Sequence, residues 1–159
     1  MLTAHLPSGY VLGRLLPKSI PYVLPVALVG SVFPDLDMIW FHLIDDRAFH
    51  HHKYWVHIPA FWAAVAVVAL PLAKWRGFLP TALVFFAAIF MHLVLDTVGG
   101  GIMWGAPFSN HLFELVTVPA RYGHWVTNFL LHWTILAELV IWVAALYLWS
   151  TRPRATTAS

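Results

Sequence analysis

The chain contains 159 residues, of which 60% are hydrophobic and only 10% are charged. Soluble domains are typically about 45–50% apolar and about 25% charged, so this composition indicates a membrane protein and excludes disordered, collagen-like and water-soluble two-domain classes. The net charge of +2 is too small to indicate a nucleic-acid partner. The sequence has no cysteine, which excludes disulfides and thiolate metal sites and leaves Asp, Glu and ten histidines as candidate ligands.

The N-terminal region predicts two short helices. Its first residues, MLTAHLPSGY, have no charged n-region, so we expect no cleaved signal peptide. Prolines then interrupt helix formation at Pro17, Pro21, Pro25 and Pro34. We expect a hairpin of helices over about Thr3–Leu16 and Tyr22–Phe33, with a single span over Pro21–Ile44 as the alternative.

Three later stretches are apolar and free of Lys and Arg, namely His57–Ala73, Phe78–Val98 and Trp125–Trp149. A membrane span needs about 20 such residues, so each stretch predicts a transmembrane helix. The predicted fold is therefore all-α: a polytopic helical membrane protein in which the N-terminal hairpin precedes three transmembrane helices. We expect a single domain over residues 1–150 and a polar tail over residues 151–159.

The basic residues predict the orientation in the membrane. Six lie on one side of the predicted layout and three on the other: Arg14, Lys18, Lys74, Arg76, Arg152 and Arg154 against Arg47, Lys53 and Arg121. Since cytoplasmic loops carry the excess of Lys and Arg, the first group is predicted to be cytoplasmic. The loops Asp45–Val56 and Gly99–His124 then lie on the extracytoplasmic side.

Ionisable residues in apolar segments are costly, so they are candidates for function. His92 and Asp96 are four residues apart on a predicted helix, so their side chains share one face about 6 Å apart; this suits two metal ligands, or equally a hydrogen-bonded pair. Asp35 and Asp37 flank Leu36 after Pro34 and would repel each other without a cation, although Pro-Asp also begins ordinary helices.

A run of histidines, DDRAFHHHKYWVHIP, precedes the first predicted transmembrane helix. Imidazole is the commonest metal ligand and titrates near neutral pH, so a metal site and a proton-handling site both fit, as does a solvated loop for His50 and His51. The predicted layout brings seven residues to one membrane face: His5, Asp35, Asp37, His52, His57, His92 and Asp96. Such a His/Asp set suits zinc, manganese or iron, and its size suggests two metals, or one metal with a base and an acid.

The order of these motifs resembles the YdjM-like inner membrane family of membrane-bound metal-dependent hydrolases. The matching segments, in order, are TAHLPSGY, GSVFPDLDMIW, HKYWVHIP and HLVLDTVGGGIMWGAPFS. The resemblance implies an inner membrane location and metal ligands at the seven residues named above. It also implies a remote similarity to zinc-dependent phospholipase C, and with it phosphoester chemistry.

The leading hypothesis is therefore a hydrolase with one or two divalent ions, most often zinc in such sites, acting on a lipid or lipid-linked phosphoester in the bilayer. Asp35 or Asp37 would act as general base, and His50 or His51 would protonate the leaving group. A metal or proton transporter is the alternative, because His132 and Glu138 lie deeper in a predicted helix. A non-catalytic membrane protein is the third hypothesis. The sequence predicts no oligomeric state.

Overall fold

The computed structural model describes residues 1, 3–48 and 50–152. Within these residues the fold has seven α-helices and no β-strand, which confirms the predicted all-helical class. The helices are α1 (His5–Leu15), α2 (Val23–Val32), α3 (Asp37–Leu43), α4 (Pro59–Trp75), α5 (Leu79–Thr97), α6 (Trp125–Leu130) and α7 (Ile135–Ser150). Most of the predicted polar tail, residues 153–159, lies outside the described part of the chain.

The predicted N-terminal hairpin is present as α1 and α2, which pack against each other. A Cβ atom on Gly9 of α1 would lie 2.1 Å from Ser31 Oγ of α2. Glycine at this position therefore lets the two backbones approach closely, as small residues do between membrane helices. Helix α1 also contacts α7, where the Arg14 guanidinium donates a hydrogen bond to the Leu148 carbonyl.

A 3-10 turn over Pro34–Leu36 separates α2 from α3. Proline has no backbone N–H to donate to the helical ladder, and the chain bends by 49° between Val23–Val32 and Pro34–Leu43. The helix is therefore interrupted within the range of the alternative prediction, a single span over Pro21–Ile44. Together the two halves of this bent pair are still long and apolar enough to cross a membrane as one broken span.

Helices α4 and α5 form a second hairpin that encloses the apolar core. Its buried side chains are Val56, Trp62, Phe86, Ile89, Leu93 and Ile102. Helix α5 also packs on α2. The Thr81 hydroxyl donates to the Pro21 carbonyl at the start of α2, and the His92 ring contacts the Ser31 carbonyl near its end. The two helices therefore run parallel, and their C-terminal ends lie together.

In the described part of the chain, α5 is the one helix long and apolar enough to cross a membrane alone. Helices α4 and α7 are apolar but shorter, so three transmembrane helices are not confirmed. The predicted continuous helix over Trp125–Trp149 is wrong, because α6 ends before α7 begins. Between them, His132 Nδ1 accepts hydrogen bonds from the Thr134 hydroxyl (3.0 Å) and backbone N–H (3.5 Å). Such local bonds compete with the helical ladder.

Candidate metal centre

Helix ends converge at one end of the molecule and carry the predicted site residues there. His5 begins α1, and its ring stacks on that of His92 in the last turns of α5, with 3.9 Å between ring centroids. His57 lies just before α4, and Asp35 follows α2. The structure thus brings together residues that are far apart in the sequence.

Four side chains, from Asp35, His57, His92 and Asp96, present ligand atoms that all lie within 4.8 Å of one another. The His92 Nε2 atom lies 3.0 Å from Asp96 Oδ2 and 3.4 Å from His57 Nε2. Asp35 Oδ1 lies 3.7 Å from His92 Nε2 and 3.8 Å from His57 Nε2. Three of the four residues are buried, and the Asp35 side chain is 36% exposed. This group is called the metal cluster below.

The hydrogen bonds around the two histidines fix their tautomers. His57 Nδ1–H donates to Asp37 Oδ2 at 2.8 Å, and His92 Nδ1–H donates to the Ser31 carbonyl at 2.8 Å. With the proton on Nδ1, each Nε2 presents a lone pair to the centre of the cluster. Metal-binding histidines are oriented in this way by carboxylates and backbone carbonyls.

Asp96 divides its two oxygens between different partners. Oδ1 accepts hydrogen bonds from the Met1 ammonium (2.8 Å) and from His5 Nε2 (3.0 Å). Oδ2 is buried without a hydrogen-bond partner among the described residues. It faces the Nε2 lone pairs of His57 and His92 at 3.6 and 3.0 Å. A buried anionic oxygen facing two lone pairs is costly unless a cation lies between them, so the donor set fits a metal ion.

The spacing of the ligand atoms also fits a small divalent ion. Bond lengths of about 2.0–2.2 Å in a tetrahedral zinc site separate neighbouring ligand atoms by roughly 3.3–3.6 Å. The distances that join His57 Nε2 or His92 Nε2 to the other ligand atoms of the metal cluster range from 3.0 Å (His92 Nε2–Asp96 Oδ2) to 3.8 Å (His57 Nε2–Asp35 Oδ1), and all four atoms lie within 4.8 Å of one another. Small side-chain movements would bring all four atoms to such distances, so the residues could hold one ion.

His52 lies beside the metal cluster, with its Nε2 atom 3.5 Å from Asp96 Oδ2. Its Nδ1–H donates to the carbonyls of Gly100 and Gly101, each at 2.8 Å. A Cβ on Gly100 would lie 2.5 Å from the His52 ring, so glycine is needed for this approach. Burial lowers the pKa of His52 to about 3, against the opposing effect of the Asp96 carboxylate. The ring is therefore neutral, as a ligand must be.

A second group of possible ligands consists of His51, His52 and His57. The buried Asp37 Oδ1 and His51 Nδ1 atoms lie 3.8 Å apart, and neither has a hydrogen-bond partner among the described residues. The sequence predicts Asp37 as a ligand or base. In the structure its other carboxylate oxygen, Oδ2, accepts a hydrogen bond from His57 Nδ1–H. This contact orients His57 for the metal cluster.

Several contacts of the site were not anticipated from the sequence. Glu138 Oε2 accepts hydrogen bonds from the backbone N–H (2.6 Å) and hydroxyl (2.7 Å) of Thr3, and so holds the segment that leads to His5. The carbonyls that orient His52 and His92 were also missed. The glycines that follow Asp96 in the sequence indicate that another group can approach the backbone closely there. Nothing in the sequence indicates that Thr3 contacts Glu138.

A cavity of about 670 Å³ opens beside the metal cluster. Asp35, His51, His52 and Asp96 line its polar part. Its apolar part is lined by Met38, Phe41, Trp125 and Phe129. A substrate with both polar and apolar portions would therefore fit next to the cluster.

The fold and the site together define an all-helical membrane protein with a buried His/Asp cluster that could hold a metal ion. The chain belongs to the YdjM inner membrane protein family, whose sequence model matches residues 1–156. The family resemblance noted from the sequence motifs is thus confirmed, and the family name indicates an inner membrane protein. No curated protein and no solved structure matches the chain, so the similarity to phospholipase C has no support from these comparisons.

Proposed function

We propose that this protein is a membrane-embedded metal-dependent hydrolase that cleaves a lipid or lipid-linked phosphoester at one face of the membrane. The observation that carries this proposal is the buried Asp96 Oδ2 atom, which has no hydrogen-bond partner among the described residues and faces two Nε2 atoms beside an amphipathic cavity. A buried carboxylate oxygen without a hydrogen-bond donor is typical of functional sites, because it is costly in a core that serves stability alone.

Asp35, His57, His92 and Asp96 would hold a divalent ion, and zinc suits this His/carboxylate set. Such an ion supplies Lewis acidity, which lowers the pKa of water and polarises an ester oxygen. His51, His52 and His57 form the second group of possible ligands, so the whole site could hold one ion or two. Asp37 and the Ser31 carbonyl keep the protons of His57 and His92 on Nδ1.

The cavity-facing residues would carry the proton transfers. Asp35 is the most exposed carboxylate of the metal cluster, and it can accept a proton from the attacking water through its second oxygen. His51 lines the same cavity with a side chain that is 24% exposed. Its imidazole would donate a proton to the leaving alkoxide.

The location of the site favours hydrolysis over transport. Transporters bind their ions near the bilayer midplane, between broken helices. Here His92 and Asp96 lie in the last turns of α5 and His57 lies just before α4, so three of the four residues of the metal cluster are at helix ends, while Asp35 lies at the bend between α2 and α3. Glu138, which raised the possibility of transport, holds Thr3. We therefore propose a site near the extracytoplasmic surface.

The test compares the wild-type protein with Asp96→Asn and with Glu114→Gln, an exposed acid away from the cluster. We expect purified wild-type protein to contain zinc and to hydrolyse a model phosphodiester, bis(p-nitrophenyl) phosphate. Asp96→Asn should lose at least about 90% of both signals while remaining inserted, since it removes an anionic ligand without changing side-chain volume. Glu114→Gln should retain both. Full zinc content and unchanged turnover in Asp96→Asn would contradict the proposal.

A further inference from the structure

The cavity beside the metal cluster has one permanently positive side chain on its wall, that of Arg47. In the described part of the chain, its guanidinium has no carboxylate partner within salt-bridge distance. The aspartates of the cavity, Asp35 and Asp96, belong to the metal cluster. Arg47 is therefore an exposed cation, without a carboxylate partner among the described residues, on the wall of a cavity whose two carboxylates belong to the metal cluster.

The backbone holds Arg47 in a costly conformation. Asp46 and Arg47 have φ angles of 44° and 61°, in the left-handed region that is usually left to glycine. The Arg47 N–H donates to the Phe41 carbonyl at 3.0 Å, which ties this loop to the end of α3. Strain of this kind in non-glycine residues clusters at ligand-binding sites.

The apolar side chains of the cavity complement this charge. Met38 and Phe41 of α3 face the same cavity as Trp125 and Phe129 of α6. A ligand that fills the cavity would thus meet a cation, the metal cluster and an apolar surface. This combination matches an amphiphile with an anionic head and a hydrocarbon chain.

The charge of the cavity limits the charge of that head. Arg47 is the one Lys or Arg among the lining residues. The Met1 ammonium also belongs to the lining, but it is paired with Asp96 Oδ1 at 2.8 Å. Arg47 is thus the one cation of the described lining without a carboxylate partner and matches a single negative charge, and its planar guanidinium suits the paired oxygens of a phosphodiester or carboxylate.

We propose that Arg47 anchors the monoanionic oxyanion head of an amphiphilic substrate while the apolar side chains hold its chain. This inference rests on the proposed hydrolase function and specifies which substrates reach the metal cluster. It makes Arg47 a residue that determines specificity, so its loss should weaken binding and raise KM more than it lowers kcat.

The experiment measures binding calorimetrically in dodecyl maltoside micelles, which are uncharged. The probes are dodecylphosphonic acid monomethyl ester, laurate and 1-dodecanol, and the variants are Arg47→Gln, Arg47→Lys and the control Arg121→Gln, an exposed arginine outside the cavity lining. We expect Arg47→Gln to weaken binding of the anionic probes at least tenfold, with a smaller loss in Arg47→Lys. Dodecanol binding should not change, and Arg121→Gln should resemble wild type.

The two anionic probes distinguish a phosphodiester head from a carboxylate head, since the better-bound probe identifies the head. Unchanged binding of both in an Arg47→Gln variant that retains its metal would overturn the inference, even if the protein hydrolyses phosphodiesters. Arg47-dependent binding without any hydrolysis would support the anion site and contradict the proposed hydrolase. If Arg47→Gln misfolds, it will lose its metal. The deciding measurement is then the binding of the anionic probes to Arg47→Lys: weaker binding than in wild type supports the inference, and unchanged binding overturns it.

Discussion

The His52 imidazole is buried between the glycine carbonyls after α5 and the Asp96 carboxylate. Its pKa is about 3 in the folded chain, against an ordinary value of 6.5. The unfolded chain therefore binds a proton first as the pH falls. Stability from the neutral ring is fully present above pH 6.5 and is lost as the pH drops from 6.5 towards 3.

We expect chelator-treated protein to lose stability across this range, with a contribution from His52 of up to about 1.4 kcal/mol per pH unit. His52→Gln should flatten the pH profile of the unfolding free energy. His111→Gln, which changes an exposed histidine, should leave it as in wild type. Equal slopes in wild type and His52→Gln would show that His52 is not the titrating group.

The candidate site could be located from the sequence only in part. Prolines and apolar runs mark where helices end, so the common location of Asp35, His57 and His92 was predictable from their positions. Their hydrogen-bond partners were not, because Ser31 and Gly100 contribute backbone carbonyls, which every residue carries. The tertiary approach of α2 to α5 brings the Ser31 carbonyl to the His92 ring, and the approach of the His51–Lys53 turn to the residues after α5 brings the Gly100 carbonyl to the His52 ring.

Helix packing supports the site from a distance. Gly9 allows α1 to contact α2, and α1 begins with His5, which donates to Asp96. We expect Gly9→Ala to lower the unfolding free energy by about 1–3 kcal/mol, because the added methyl group meets Ser31 at an impossible distance. Metal affinity should fall as well, since His5 would move away from Asp96.

The matched control is Gly123→Ala, because a Cβ at Gly123 has no atom within 4 Å. It should change stability by less than about 0.5 kcal/mol. Chemical denaturation in micelles and metal titration provide the two measurements. Wild-type stability in Gly9→Ala would mean that α1 can shift away from α2 without cost.

The elements themselves were predictable to different degrees. Hydrophobic runs and prolines were sufficient for α1, α2, α4 and α5. They failed between α6 and α7, where the stretch from Trp125 to Trp149 is apolar enough overall for a span but the helix is interrupted, and the His132 side chain accepts a hydrogen bond from the Thr134 N–H there. Hydropathy measures how apolar a segment is. It does not show that a side chain accepts a hydrogen bond from a backbone N–H and so competes with the helix.

For the whole molecule, the orientation in the membrane remains a prediction from the six-to-three distribution of basic residues. The absence of native cysteine allows a direct test with single-cysteine variants. Ser19 lies exposed in the α1–α2 connection, and Ser109 lies exposed in the connection between α5 and α6. We expect a membrane-impermeant maleimide to label Ser109→Cys but not Ser19→Cys in intact spheroplasts. The reverse pattern would place the metal cluster on the cytoplasmic side.

The lengths of α4 and α7 have a consequence for the surrounding lipid. They contain 17 and 16 residues, so each is about 25 Å long, whereas the hydrocarbon core of a typical bilayer is about 30 Å thick. The sequence predicts that both helices cross the membrane, and spanning helices of this length would be accommodated by local thinning of the bilayer. Lipid ester groups near the protein would then lie deeper than in the bulk membrane, close to the level of the helix ends that carry the cluster. We expect a higher thermal unfolding midpoint in vesicles of 14-carbon acyl chains than in vesicles of 22-carbon chains, and equal midpoints would show that the protein does not deform its membrane.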